Sequence, residues 1–215
     1  MSFRSQRWLA VSLLMLVTFA FEAAPVRADN TVTPPRSGQV GIGVSGSFGT
    51  FLPAGELGNE FGSGPGLSVR LRYRMRFERA IGLTFDAEKM NSRSPSQASG
   101  AFDSLSDSPG VFRDYMKMIT AGFEFYQMFD TRERTVKYLS AGAGLAQITA
   151  HLTDGETQYP IAGDALFVSV GAGLEHFFFR SWAWDMNFKY KPVLHDGKIN
   201  HDLQAQLGLM FYAGY

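Results

Sequence analysis

Between Arg70 and Arg76 every second residue is an arginine: Arg70, Arg72, Arg74 and Arg76 alternate with Leu71, Tyr73 and Met75. At a spacing of two, these guanidiniums share one face of an extended strand, each permanently charged and able only to donate. Such a row can line an ion-selective pore or gate, or neutralise acids in a protein interior. Acids follow at compatible spacings, namely Asp86, Glu88, Glu124, Glu175 and Asp185, together with the cations Lys189 and Lys191. Hydrolytic chemistry has weaker support. The histidines are His151, His176, His195 and His201, and none sits in a His-x-Ser pattern. A hydroxyl nucleophile would need such a base, itself oriented by an acid. His195-Asp196 and His201-Asp202 carry metal-ligating or general-base groups, and Asp103 and Asp107 carry calcium-ligating ones. Neither set has the spacing of a defined motif. Gly-rich 58–66 lacks the lysine and helix of a phosphate loop. The expectation is therefore no catalytic residue, no metal and no cofactor.

Composition narrows the classes further. Twenty basic residues balance twenty acidic ones, which argues against a nucleic-acid partner. No cysteine is present, so disulfides, thiolate zinc sites and Cys nucleophiles are excluded. Arg4 and Arg7 precede an apolar run from Trp8 to Phe21, which as helix is about 21 Å long, short for a membrane span. Val26-Arg27-Ala28 completes the pattern of a secretory signal, predicting cleavage after Ala28. Losing Arg4, Arg7, Arg27 and Glu22 leaves 17 basic and 19 acidic residues, a net charge of −2. Residues 29–37, with two prolines, read as a flexible lead-in to a single domain over 38–215.

The elements that position the charges alternate with period two. Leu67, Val69, Leu71, Tyr73, Met75 and Phe77 face one way, and Ser68 and the four arginines the other. Eight such segments are expected, at about 38–48, 66–77, 81–90, 113–126, 136–148, 165–178, 182–193 and 201–213. These are longer than strands of soluble proteins and match the ~9–11 residues that carry a tilted strand across a bilayer. Long connections (49–65, 91–112, 149–164) alternate with short ones (78–80, 127–135, 179–181), and 194–200 is intermediate. The expected fold class is all-β, an eight-stranded antiparallel up-and-down transmembrane barrel. A soluble lipocalin-like barrel would need an apolar inside and a polar outside, opposite to residues 66–90.

Register turns this into contacts. A three-residue turn at 78–80 pairs Phe77 with Ile81, and inside it sets Arg72 opposite Asp86 and Arg70 opposite Glu88. A two-residue turn would move Asp86 and Glu88 to the apolar face. The same logic at 179–181 pairs Phe178 with Trp182, His176 with Trp184 and Gly171 with Lys189. It also opposes Glu175 to Asp185, and that pair and Glu124 are expected to gather around Arg74 and Arg76. Since eight strands leave room for little but side chains, the lumen is expected to be a salt-bridged plug that conducts little. Phe77, Phe125, Phe178, Trp182 and Phe211 are expected to form an aromatic girdle at the turn side.

The first strand running into Gly49-Thr50-Phe51-Leu52-Pro53, the alternating hairpins, and a last strand with Leu203, Ala205, Leu207, Leu209, Phe211, Ala213 and Tyr215 on one face carry a resemblance. The chain resembles the small eight-stranded outer-membrane β-barrels of the OmpA/OmpW type, over nearly all of the expected mature chain, residues 29–215. That resemblance implies the outer membrane of a Gram-negative bacterium, with both termini periplasmic. The implied partners are outer-membrane lipid and lipopolysaccharide, and the barrel-assembly machinery, which would read Leu207, Leu209, Phe211 and Tyr215. Tyr215 stands where the family more often has Phe. The expected function is a structural or surface-interaction role without catalysis. A narrow pore and a lipid-modifying enzyme on the same barrel are the alternatives. The surface ligand stays open.

Overall fold

The computed structural model describes residues 36–93, 112–153 and 158–213. The expected leader, most of the lead-in, Asp103, Asp107 and Tyr215 lie outside the described residues. The strands are β1 (Val40–Phe51), β2 (Ser63–Arg76), β3 (Arg79–Asn91), β4 (Phe112–Phe129), β5 (Thr135–Thr153), β6 (Gln158–Phe177), β7 (Trp182–His195) and β8 (Lys198–Ala213). Each pairs antiparallel with its sequence neighbour, and β1 closes on β8 from Val40↔Ala213 to Phe51↔Asp202, giving a closed eight-stranded barrel. Closure leaves no open sheet edge, which a strand-built structure in lipid requires.

The period-two sequence pattern becomes two faces. Val44, Leu67, Leu83, Ile119, Leu145, Val168, Phe188 and Leu207, one from each strand, point outward and are 41–64% exposed. Their inward neighbours are buried, many of them polar or charged. An apolar belt around the whole circumference far exceeds the patches that water-soluble monomers expose. In a bilayer it is the lipid contact, so this is a transmembrane barrel. At the turn side Trp182 packs on Phe211 with ring centroids 4.9 Å apart, and Phe178 lies 5.9 Å from Trp184. Phe77 and Phe125 are exposed at the same end.

Two expectations need correction. In the β2–β3 hairpin, Arg72 lies opposite Gly82 and Arg70 opposite Thr84, while Ser68 faces Asp86 and Gly66 faces Glu88. Thus Arg72–Asp86 and Arg70–Glu88 are not cross-strand pairs. The turn is two residues, Phe77 and Glu78, with a bulge between Arg74 and Arg76. The extra residue restores face parity, so a short turn keeps the acids inside. The stretch 149–164 is also mostly strand rather than loop: His151 pairs with Pro160 and Thr153 with Gln158. Alternation persists there, with Ile148 and Ala150 inward, and polar outward residues are tolerated because this hairpin rises past the apolar belt. The β6–β7 register matches expectation, including Glu175↔Asp185, His176↔Trp184 and Gly171↔Lys189. Asp196 and Gly197, at φ 49 and 74, make the tight β7–β8 turn, a conformation Asp-Gly favours.

The β1–β2 connection contains a short helix, α1 (Glu56–Glu60), which folds over the mouth. Leu57 and Phe61 are fully buried against Phe51. The Leu57 amide donates to Asn200 Oδ1 at 2.8 Å, and Lys198 pairs with Glu56 at the rim. Arg93 donates to the carbonyls of Phe61 (3.0 Å) and Phe51 (2.5 Å). Gly58 is required here, since a Cβ would lie 1.8 Å from the Leu52 carbonyl oxygen.

Candidate functional site: the lumen

Two apolar clusters fill the ends of the lumen. The loop-side cluster includes Phe51, Leu57, Phe61, Met90, Met116 and Phe167. The turn-side cluster includes Tyr126, Met128, Tyr138, Phe177, Met210 and Tyr212. Charged side chains lie between and touch both: Lys191 Nζ is 5.9 Å from the Phe167 ring centroid, and Arg72 lies 4.0 Å over Tyr126 and 4.7 Å over Tyr138.

The charges form two groups. Toward the turns, Arg70 bridges Asp185 at 2.9 Å, Arg72 pairs with Glu175 and reaches Asp185 at 3.5 Å, and Arg74 bridges Glu175 at 2.6 Å. Tyrosine hydroxyls complete the acids' acceptor shells. Tyr212 donates to Glu175 at 2.6 Å and Tyr138 to Asp185 at 3.0 Å, while Asn187 donates to the Tyr138 oxygen at 3.1 Å. Toward the mouth, Lys191 Nζ stands 3.5 Å from Glu88, 3.6 Å from Asp86 and 3.5 Å from Asp202. Gln204 donates to Glu88 at 2.6 Å and Thr120 to Asp86 at 3.2 Å. Lys189 bridges Glu124 at 2.5 Å, and Tyr126 donates to the same carboxylate.

Arg70, Arg72, Arg74, Lys189 and Lys191 thus face Asp86, Glu88, Glu124, Glu175, Asp185 and Asp202, all at most 3% exposed. Ion pairs this deep gain little over an apolar core, yet any one left without its partner is strongly destabilising. Every cation in the set is engaged by an acid. Arg76 is the exception to the expected cluster, because the bulge before it carries it to the exposed turn-side rim. Arg72 and Arg74, not Arg74 and Arg76, hold Glu175, and Glu124 pairs with Lys189 instead of joining them. Leu207, Leu209 and Phe211 lie on the outward face of β8, 53%, 37% and 37% exposed.

Sequence reasoning missed Tyr126, Tyr138, Tyr212, Thr120 and Gln204, and took Asp202 only as a neighbour of His201. Parity held the signal: Asp202 and Gln204 alternate with outward Leu203 and Ala205, and Tyr126 shares its face with Glu124. Aromatic residues of a membrane barrel ordinarily face lipid, which masks inward tyrosines in a sequence. The histidines do not converge. His151 stacks on Tyr115, His176 Nδ1 is 2.9 Å from Thr135 Oγ1, His201 Nδ1 is 2.5 Å from Tyr190 Oη, and His195 is buried near the Asp164 carbonyl. Among the described residues no group of three or more His, Cys, Asp or Glu is arranged to hold a metal ion.

No protein-family model matches the chain, and no curated protein matches it. Solved structures do. The outer membrane protein OprG from Pseudomonas aeruginosa superposes with a TM-score of 0.56 at 10% identity, covering 86% of this chain and 100% of that one. Ail, the attachment invasion locus protein of Yersinia pestis, gives 0.51 at 14% identity over 81% of this chain and 99% of its own. Neisserial surface protein A gives 0.51 at 14% identity over 80% and 95%. The shared feature is the fold: this chain is built as the small eight-stranded outer-membrane barrels are.

Proposed function

We propose that this barrel resides in a bacterial outer membrane as a non-catalytic scaffold whose loop-side end makes surface interactions. The observation that carries the proposal is the lumen: an ion-paired cluster of five cations and six carboxylates sealed by apolar side chains at both ends, with α1 folded over the mouth. A pore needs a wet path, and a hydrolase needs an accessible nucleophile and base. The lumen favours neither. Both ends of the described barrel lie at the turn side, which supports a reading with both termini in the periplasm. The outward apolar stripe of β8 suits recognition by the barrel-assembly machinery. β5 and β6, at 19 and 20 residues, exceed the ~9–11 that cross a bilayer and carry their hairpin beyond it. Function on projecting segments held by a rigid scaffold is a common arrangement.

Purified full chain in planar bilayers is expected to show no steady conductance, and its expression should leave lipid A mass spectra unchanged. An epitope tag in the β5–β6 connection should be reached by antibody on intact cells. A large ohmic current revives the pore, a lost or added acyl chain the enzyme, and a tag reached only after lysis reverses the orientation.

A further inference from the structure

Just above the apolar belt, on the outward face of β3 and β4, Lys89 and Lys117 lie directly opposite each other. Like charges in register across a strand pair destabilise a sheet. No carboxylate among the described residues forms an ion pair with either. What the structure gives them is an aromatic plate: Lys89 Nζ is 4.0 Å and Lys117 Nζ 5.6 Å from the Tyr115 ring centroid. His151 stacks on that ring at 4.3 Å, and Thr149 lies beside Lys117 on β5. Asp114, exposed next to Tyr115, is the acid whose field reaches His151.

One step toward the turns the outward pair is Ala87↔Ile119, and the next is Phe85↔Ala121, with Ile119 and Phe85 55% and 48% exposed. The lysines therefore sit where belt gives way to headgroups. A ligand that satisfies both must carry negative charge above and hydrocarbon below. We infer that Lys89, Lys117 and Tyr115 form a site for a lipid-borne phosphate in the leaflet at the loop side, an anionic glycolipid headgroup with its acyl chains along Phe85 and Ile119. Two ammoniums on flexible stems can bracket one phosphate with charge-assisted hydrogen bonds, and the bound anion removes the repulsion between them. Tyr115 holds the stems in place, and the Thr149 hydroxyl is positioned beside Lys117 for a further contact.

The inference rests on the membrane reading of the barrel, and the test separates the two. Full chain is reconstituted in phosphatidylcholine nanodiscs containing bis-phosphorylated lipid A or its dephosphorylated form, and retained lipid is counted by native mass spectrometry. Wild type should retain the phosphorylated lipid in preference. Lys89→Gln/Lys117→Gln should lower its apparent affinity about tenfold or more, and the double Arg variant should keep it. Lys137→Gln, at a lysine paired with Asp130 on the turn side, should change nothing. Millimolar inorganic phosphate should not displace the lipid. Equal retention of the two lipids, no effect of the double Gln variant, or full competition by inorganic phosphate would overturn the site. A barrel that inserts normally but shows no preference rejects the site alone. One that fails to insert rejects the membrane reading and the site with it.

Discussion

Glu175→Ala should cost the barrel about 3–5 kcal/mol, read as a lower urea midpoint for the chain refolded in lipid. Glu175 accepts from Arg72, Arg74 and Tyr212 in a space with no exposure. Its loss strands a guanidinium at Arg74 outright and leaves Arg72 only the 3.5 Å contact to Asp185. Removing Asp86 should matter much less, on the order of 1 kcal/mol, because Lys191 keeps Glu88 and Asp202. A double-mutant cycle makes the contrast sharper. Arg72 and Glu175 should couple by more than about 1 kcal/mol, and Arg72 and Asp86 by a few tenths. Equal coupling in the two cycles would contradict the observed register.

The second large effect is at Lys191. Lys191→Met leaves Asp86, Glu88 and Asp202 together in a buried space without their shared cation, again about 3–5 kcal/mol at neutral pH. The sign with pH distinguishes this from simple loss of packing. Three clustered carboxylates repel while ionised, and protons relieve them, so the variant should gain stability from pH 8 to pH 5 relative to wild type. In wild type Lys191 offsets most of that repulsion, so its stability should change less over that range. Lys198→Met removes a cation from an ion pair that is 56% exposed on the lysine side, and should shift stability only slightly. A Lys191→Met barrel whose urea midpoint follows pH in parallel with wild type would refute the shared-cation account.

The architecture was legible because lipid and a narrow lumen impose opposite solvents on successive residues. Leu71 and Arg72 cannot exchange faces, so period two survives in the sequence wherever a strand crosses. The β6–β7 register was legible because Gly171 and Gly173 leave space opposite Lys189 and Asn187. The β2–β3 register was not, because a bulge at Met75 changes strand alignment while preserving parity, and parity was the available signal. The ion pairs failed for the same reason, and for a second one. They span the lumen, from β2 to β6 and β7, and cross-strand logic sees only neighbours. The β5–β6 hairpin was cut short because its glycines and polar residues look like loop once the lipid constraint stops.

Those cross-lumen bridges bear on how the protein is made. Arg72 and Glu175 are 103 residues apart in the chain, and Arg72 and Asp185 are 113. A flat or half-curled sheet can zip neighbouring hairpins together, yet it holds β2 far from β6 and β7. The arginines then have no counter-charge, and the membrane offers them none. Curling the sheet, neutralising its interior and joining β1 to β8 therefore become one cooperative event. An intermediate that enters lipid before closure is penalised, so insertion and closure must occur together, as a concerted late step rather than a gradual one.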